Sequence, residues 1–307
     1  MNRSALRPLS IGNVVSTGLV LYRSNLKTYF GIALQAYLWI ILPLILIVVA
    51  SGLFIASRQY PWAVLLIAFV LLLAGIGKYL TNSALISRLA YQELIGKPEP
   101  INLARQYIDP KIWKFWWIAL SVSLRLILIY IVVAIAFGII TAVLISLFRT
   151  LFSPLIAGII ATSVIVLGVA IILSWYFARW MIAEMPLAIE GNISANESIK
   201  RSWDLTQKSA LRVQAIVFIA FLVTIPITAL TNYAPQFLFA RAIPGSTLFW
   251  VGTAVSFVFS LIGSVLVLPL WQTIKAAIYY DLRTRREGLD IQLRQGTNKS
   301  NKNDFIS

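Results

Sequence analysis

An all-α integral membrane protein with six transmembrane helices is the fold class predicted by three observations. The chain is 59% hydrophobic and only 12% charged, it holds six long apolar stretches, and its cations fall almost entirely between alternate stretches. So apolar a chain of 307 residues has more hydrophobic surface than one water-soluble core can bury. A bilayer core about 30 Å thick takes about 20 residues of helix at about 1.5 Å each. The stretches at 28–57, 62–87, 115–148, 154–179, 211–231 and 247–275 all reach that length. A transmembrane barrel would alternate apolar and polar residues, which runs such as LLIAFVLLLAGIG (65–77) do not. The first apolar run is too long for a cleavable signal and no small-residue cleavage pattern follows it, so it is retained as a span.

Charge sets the expected orientation. With the N-terminus in the cytoplasm, 21 of the 26 Lys and Arg residues lie on that side. Arg58, Arg149 and Arg241 lie opposite, and Lys78 and Arg125 fall within spans. Cations near span ends favour the cytoplasm, so both termini are expected there, in a bacterial inner membrane or an equivalent internal one. All eleven acidic residues fall on or at the edge of the same side. Topology therefore accounts for the net charge of +15, and nucleic acid is not an expected partner. The expected partners are anionic lipid headgroups on the cytoplasmic face and a second membrane protein.

The spans group into three hairpin repeats, at about 10–100, 101–192 and 193–291, followed by a polar tail at 292–307 expected to be disordered. Each odd span follows a short amphipathic lead-in. The lead-ins begin near Ser10, Asn102 and Ser194, 92 residues apart in both steps. They are read as interfacial helices that anchor the next span or, alternatively, as a surface for lipid or a partner.

Along the chain, Pro43 kinks the first span. Its counterpart is Pro226 in the fifth, a pairing that marks either kinked packing or a binding site. Lys78, roughly 25 Å from the outer end of the second span, is expected to snorkel to the inner interface, as is Lys275 in the sixth. KIWKFWW (111–117) reads as a headgroup-level anchor. Arg125 either marks the true inner boundary of the third span or faces the bundle interior, where it could hold a phosphate or carboxylate. SANE (194–197) has capping-box spacing. Beyond it Glu197 and Arg201, Lys200 and Asp204, and Asp204 and Lys208 are spaced to pair, and Trp203 lies on a face with Ala195 and Ile199. Gly252, Ser256, Ser260 and Ser264 form a small-residue packing seam in the last span.

The sixth span ends in YYDLRTRREGLD (279–290). Tyr280 and Asp281 are expected at the lipid–water boundary, Asp281 is spaced to pair with Arg285 and Arg283 with Glu287, and Gly288 ends the helix. Together with MPLAIEGNISANESIKRSWDLT (185–206), this ending resembles a family of bacterial multi-pass proteins labelled as the glycerophosphoryl diester phosphodiesterase membrane domain, or simply as membrane proteins of unknown function. The resemblance implies a six-span architecture over nearly the whole chain. The soluble catalytic domain of the enzymes that named the family uses histidines and metal-binding carboxylates. The chain has no histidine, so no catalytic residue carries over.

Without Cys or His, thiol nucleophiles, disulfides, thiolate or imidazole metal sites and histidine acid/base chemistry are excluded. Intramembrane catalysis would fall on unaided carboxylates such as Glu184 and Glu190. The expected function is therefore non-catalytic and cofactor-free. One reading is a scaffold, assembly or regulatory component whose basic cytoplasmic face, including Trp203, Arg201, Arg283, Arg285 and Arg286, binds anionic lipid or a partner. The other is a permease or lipid-handling protein with a site near the kinked spans, Lys78 and Arg125.

Overall fold

The computed structural model describes residues 9–148 and 153–288, and every regular element among them is helical. Arg149 and the 292–307 tail lie outside the described residues. In chain order the elements are α1 (Ile11–Ser24), α2 (Leu26–Ser57), α3 (Trp62–Leu94), α4 (Ile101–Ile108), a 3₁₀ turn (Asp109–Lys111), α5 (Ile112–Phe148), α6 (Pro154–Trp180), α7 (Glu184–Ile189), α8 (Ala195–Thr206), α9 (Ala210–Thr228), a π-helical turn (Ala229–Tyr233), α10 (Ala234–Leu238) and α11 (Thr247–Glu287). Six helical stretches, built on α2, α3, α5, α6, α9 and α11, are long and apolar enough to cross a membrane. The six apolar runs each coincide with one of them.

The core is not among the apolar midsections. In the most apolar window of each crossing helix only 6% to 22% of residues are buried, as suits helices whose solvent is itself apolar. Burial concentrates at the pole where Leu9 meets Asp281, the basal pole. There Thr81–Tyr91 of α3, Met185–Ala188 of α7 and most of α11 from Leu268 to Thr284 are enclosed by α1, α4 and α8. Helices α3 and α11 thus run past the expected span ends at 87 and 275, because their continuations are the posts of this core. Tyr280 and Asp281, expected at the lipid–water boundary, are each only 1% exposed, and Tyr279 before them is 0% exposed.

The lead-in segments pack on protein. Helix α1 crosses α11 so closely that a Cβ on Gly18 would stand 3.0 Å from Ile274 Cα. Helix α8 turns Ala195, Ser198, Ile199, Ser202, Leu205 and Thr206 inward. Its small hydroxyls bond to neighbouring backbone: Ser198 Oγ donates to Ala183 O (2.6 Å) and accepts from Leu187 N (3.0 Å), and Ser202 Oγ donates to Arg179 O (2.8 Å). Three hydroxyls that look like a solvated face in sequence therefore form a buried one.

The capping box of α8 is formed, with Ser194 Oγ accepting from Glu197 N (3.2 Å) and the Glu197 carboxylate accepting from Ser194 N (2.6 Å). The Ser194 backbone N–H, bonded to the ionised form, holds the Glu197 carboxyl below its usual range. Because the folded pKa lies below the unfolded one, this cap stabilises the fold at neutral pH and is lost as pH falls through the depressed value. Glu197→Ala is expected to lower the melting temperature at pH 7, and the difference from wild type should close on acidification. Equal melting of the two proteins at pH 7 would refute the cap's contribution. Arg201, spaced to pair with Glu197, bonds instead to Glu190 (3.1 Å) and Glu287.

KIWKFWW is mainly a tertiary clamp. Lys111 Nζ lies 3.3 Å from the centre of the Tyr107 ring and donates to Leu187 O (3.2 Å), and Lys114 Nζ donates to Ile193 O (3.3 Å). Trp116 and Trp117 donate to Leu73 O (3.0 Å) and Asn196 Oδ1 (3.1 Å), and Phe115 is buried. Arg88 Nη1 also donates to Ala188 O (2.7 Å), so the negative end of α7 is met by two cations. Trp113 faces outward, 77% exposed.

Candidate functional site

Helices α3, α5, α6, α9 and α11 follow one another around a ring, each packed on the next, with α2 laid against α3 and α11. Inside the ring, two cavities lie side by side and share part of their lining. The larger, about 530 Å³, opens beside Tyr37, Tyr79, Asn232, Trp271, Gln272 and Lys275; the smaller, about 290 Å³, lies toward α5 beside Phe115, Val122, Ser123, Trp180 and Glu184. Phe177, Met181 and Lys275 line both.

Each wall has a sequence origin. On α11 the lining runs from Gly263 to Lys275, which is about 18 Å of helix and more than half a hydrocarbon core. Gly263 leaves room for α9's continuation, since a Cβ there would stand 2.1 Å from Thr231 Oγ1. Thr231 is on the π-helical turn that follows Pro226; the wider turn carries Asn232 to the cavity rim, with its Nδ2 bonded to Thr228 O at 3.2 Å. Such π turns recur at functional sites. Tyr37 and Tyr79 meet edge to face, with ring centres 5.4 Å apart, and add two phenols to the lining. Phe221, Val267, Leu268 and Trp271 make the wall between the polar ends apolar.

The charged element is an ion pair. Lys275 Nζ donates to Glu184 Oε1 at 2.9 Å, with side chains 18% and 15% exposed. Lys275 was expected to snorkel; it is held inside the ring because α7 starts beside it and supplies a carboxylate. One of the ammonium's three donors is used by Glu184, which leaves two without a hydrogen-bond partner among the described residues. Lys275 borders both cavities and Glu184 only the smaller, so the larger contains a cation and no carboxylate in its lining.

The residues singled out in sequence do not gather at one place. Pro43 is buried within an unbroken α2, whereas Pro226 is exposed near the end of α9, and neither lines the larger cavity. Arg125 is exposed, its guanidinium 5.8 Å from the centre of the Trp180 ring, so it faces out of the ring rather than into it. Lys78 is half-buried and forms no ion pair among the described residues. Trp203 stacks on Arg179 (3.7 Å to the ring centre) and packs with Trp175, Tyr176 and Trp180.

The basic cluster is largely internal. Asp281 pairs with Arg285 (3.0 Å) and Arg283 with Glu287 (2.8 Å), as their spacing predicted, and Gly288 ends α11 in the left-handed region at φ 61°. Arg283 also donates to Tyr91 Oη (3.0 Å), while Arg201 joins Glu190 to Glu287 and Tyr279 donates to Glu190. Residues 185–206 and 279–287 thus meet in one network. Arg286 remains exposed.

Sequence reasoning missed the Lys275–Glu184 pair and the cavities around it. The available signals were a lysine inside an apolar run (LVLPLWQTIKAAIYY) and a lone acid in MIAEMPLAI. Comparison of the chain with protein-family models, with curated proteins and with solved structures finds no match.

Proposed function

We propose that the chain is a non-catalytic, lipid-handling membrane protein that takes an amphiphile with an acidic headgroup into the ring. The observation behind this reading is the larger cavity: an apolar wall about 18 Å long ends at a partly free ammonium flanked by hydroxyl and amide groups. An acyl chain suits the wall, and a phosphate or carboxylate suits Lys275. The scaffold reading is less well supported, since Arg201, Arg283 and Arg285 are engaged within the fold.

The basal pole is proposed to be cytoplasmic, for the positive-inside reason already given, with Arg58 and Arg241 on the far side. Reporter fusions after Arg58 and Arg241 should be active only outside the cytoplasm, and activity inside would reverse the orientation. Three related units are supported by the thrice-repeated order of one lead-in helix followed by two spans, with α7 as the broken continuation of α6 where α3 and α11 run on unbroken. The bacterial membrane family suggested by 185–206 and 279–290 is consistent with the contact between 185–206 and 279–287.

Native mass spectrometry of the detergent-purified protein tests the function. Wild type is expected to retain a bound lipid, Ser264→Phe, which fills the cavity, to lose it, and Lys275→Met to retain acidic lipids less well than zwitterionic ones. A lipid-free wild type would overturn the proposal.

A further inference from the structure

We infer that a groove between α5 and α6 is the lateral entrance through which an acyl chain reaches the larger cavity, and that Phe177 is its gate. This rests on the lipid-handling reading and adds the route. The groove, about 510 Å³, is bounded by Leu126, Ile127, Tyr130, Leu173, Ser174 and Phe177. It shares Leu126 and Phe177 with the smaller cavity, and that cavity shares Phe177, Met181 and Lys275 with the larger. Groove and cavities therefore form a series from the lipid-facing surface to the ring interior, and Phe177 is the residue that borders all three.

Phe177 is suited to move. Although it borders the interior it is 45% exposed, so the core does not fix its ring, and one side-chain rotation would join the compartments. The seam is shut farther out, where the Phe137 ring occupies the space a Cβ on Gly168 would need, 2.2 Å away. The opening is thereby confined to the basal half of the hairpin.

Charge at the entrance matches charge inside. Arg125 precedes Leu126 of the groove wall and faces Trp180, three residues from Phe177 on one face of α6. Arg125 is exposed and forms no ion pair among the described residues. A lipid's acidic headgroup accepts hydrogen bonds from Arg125 while its chain lies in the groove. As the chain passes Phe177, the headgroup comes within the reach of Lys275, the cation bordering both cavities. This gives Arg125, exposed on the wrong side for an interior site, a role at the mouth of one.

Because the chain has no cysteine, Asn232→Cys at the far cavity rim accepts a single fluorophore. A brominated, short-chain acidic phospholipid is then added by stopped flow to the protein in detergent, and quenching reports arrival. Leu126→Trp, which plugs the groove, is expected to slow quenching about tenfold with the same end point. Phe177→Ala should accelerate it, and Ile135→Trp, an equally bulky change elsewhere on the exposed face of α5, should leave it unchanged. Should Leu126→Trp fail to fold, Phe177→Ala decides alone. Full quenching at one common rate in all variants would overturn the entrance and gate yet leave the amphiphile site standing. No quenching in the Asn232→Cys parent would instead overturn the lipid-handling reading.

Discussion

Asp281→Asn is expected to destabilise the protein by about 3 kcal/mol, the cost of removing one partner from a buried charge cluster. The Asp281 side chain is 2% exposed, and three separate parts of the chain converge on it. Oδ1 accepts from the backbone N–H of Leu9 (2.8 Å), Oδ2 from Arg212 Nε on α9 (3.1 Å), and Arg285 Nε one turn on along α11 reaches both oxygens (3.0 and 3.1 Å). The Leu9 carbonyl is held as well, accepting from Arg285 Nη2 at 2.7 Å and from Arg212. One carboxylate thus balances two guanidinium groups and fixes a peptide at the entry to α1. Asparagine keeps the shape but not the charge, leaving Arg212 and Arg285 without their anion. Melting in mild detergent should fall, and limited proteolysis should cut ahead of α1 sooner than in wild type. Arg286→Ala, on the exposed side of the same turn, is the control, with a change within about 0.5 kcal/mol. An Asp281→Asn protein that melts with wild type would show that the cluster contributes no net stability.

This cluster also marks what can be read from sequence. Asp281–Arg285, Arg283–Glu287 and the Ser194–Glu197 cap were legible because helical geometry brings residues three or four apart together. Leu9 with Asp281, Lys275 with Glu184 and Arg201 with Glu287 were not, since in a single sequence nothing links positions 272, 91 and 86 residues apart. The six spans were legible because lipid selects apolar length directly. The basal core was not, because its covering helices are rich in Ser, Thr and charge and look solvated. That also explains the misplaced Tyr280: near a span end the general rule is an interfacial ring, but α3, α7 and α8 occupy the place expected for lipid. The cavities escaped because they arise from the order in which helices meet around the ring, which span-by-span reading does not address.

Gly75→Ala is expected to be the other strongly damaging change, by about 3 kcal/mol, at the upper end of overpacking costs. Gly75 is fully enclosed where α3 crosses α2, and a Cβ built on it would stand 2.3 Å from the carbonyl oxygen of Trp39 and 3.1 Å from its carbon. A flexible side chain could turn away from such a contact, but a helical carbonyl in mid-span cannot without separating the two helices. In lipid there is no water to satisfy a displaced backbone group, so relief by local unwinding is costly too. The same substitution at Gly52 or Gly158, where nothing lies within 4 Å of the added carbon, should be neutral or stabilising by about 0.5 kcal/mol, since alanine is the better helix former. The three variants make identical chemical changes at helix interiors, so only the neighbour differs. Detergent melting that ranks Gly75→Ala well below Gly52→Ala and Gly158→Ala would locate a close α2–α3 crossing at Trp39. Three equal shifts would mean that the helices do not approach there, and the ring that α3 shares with α5 and α11 would lose its fixed edge.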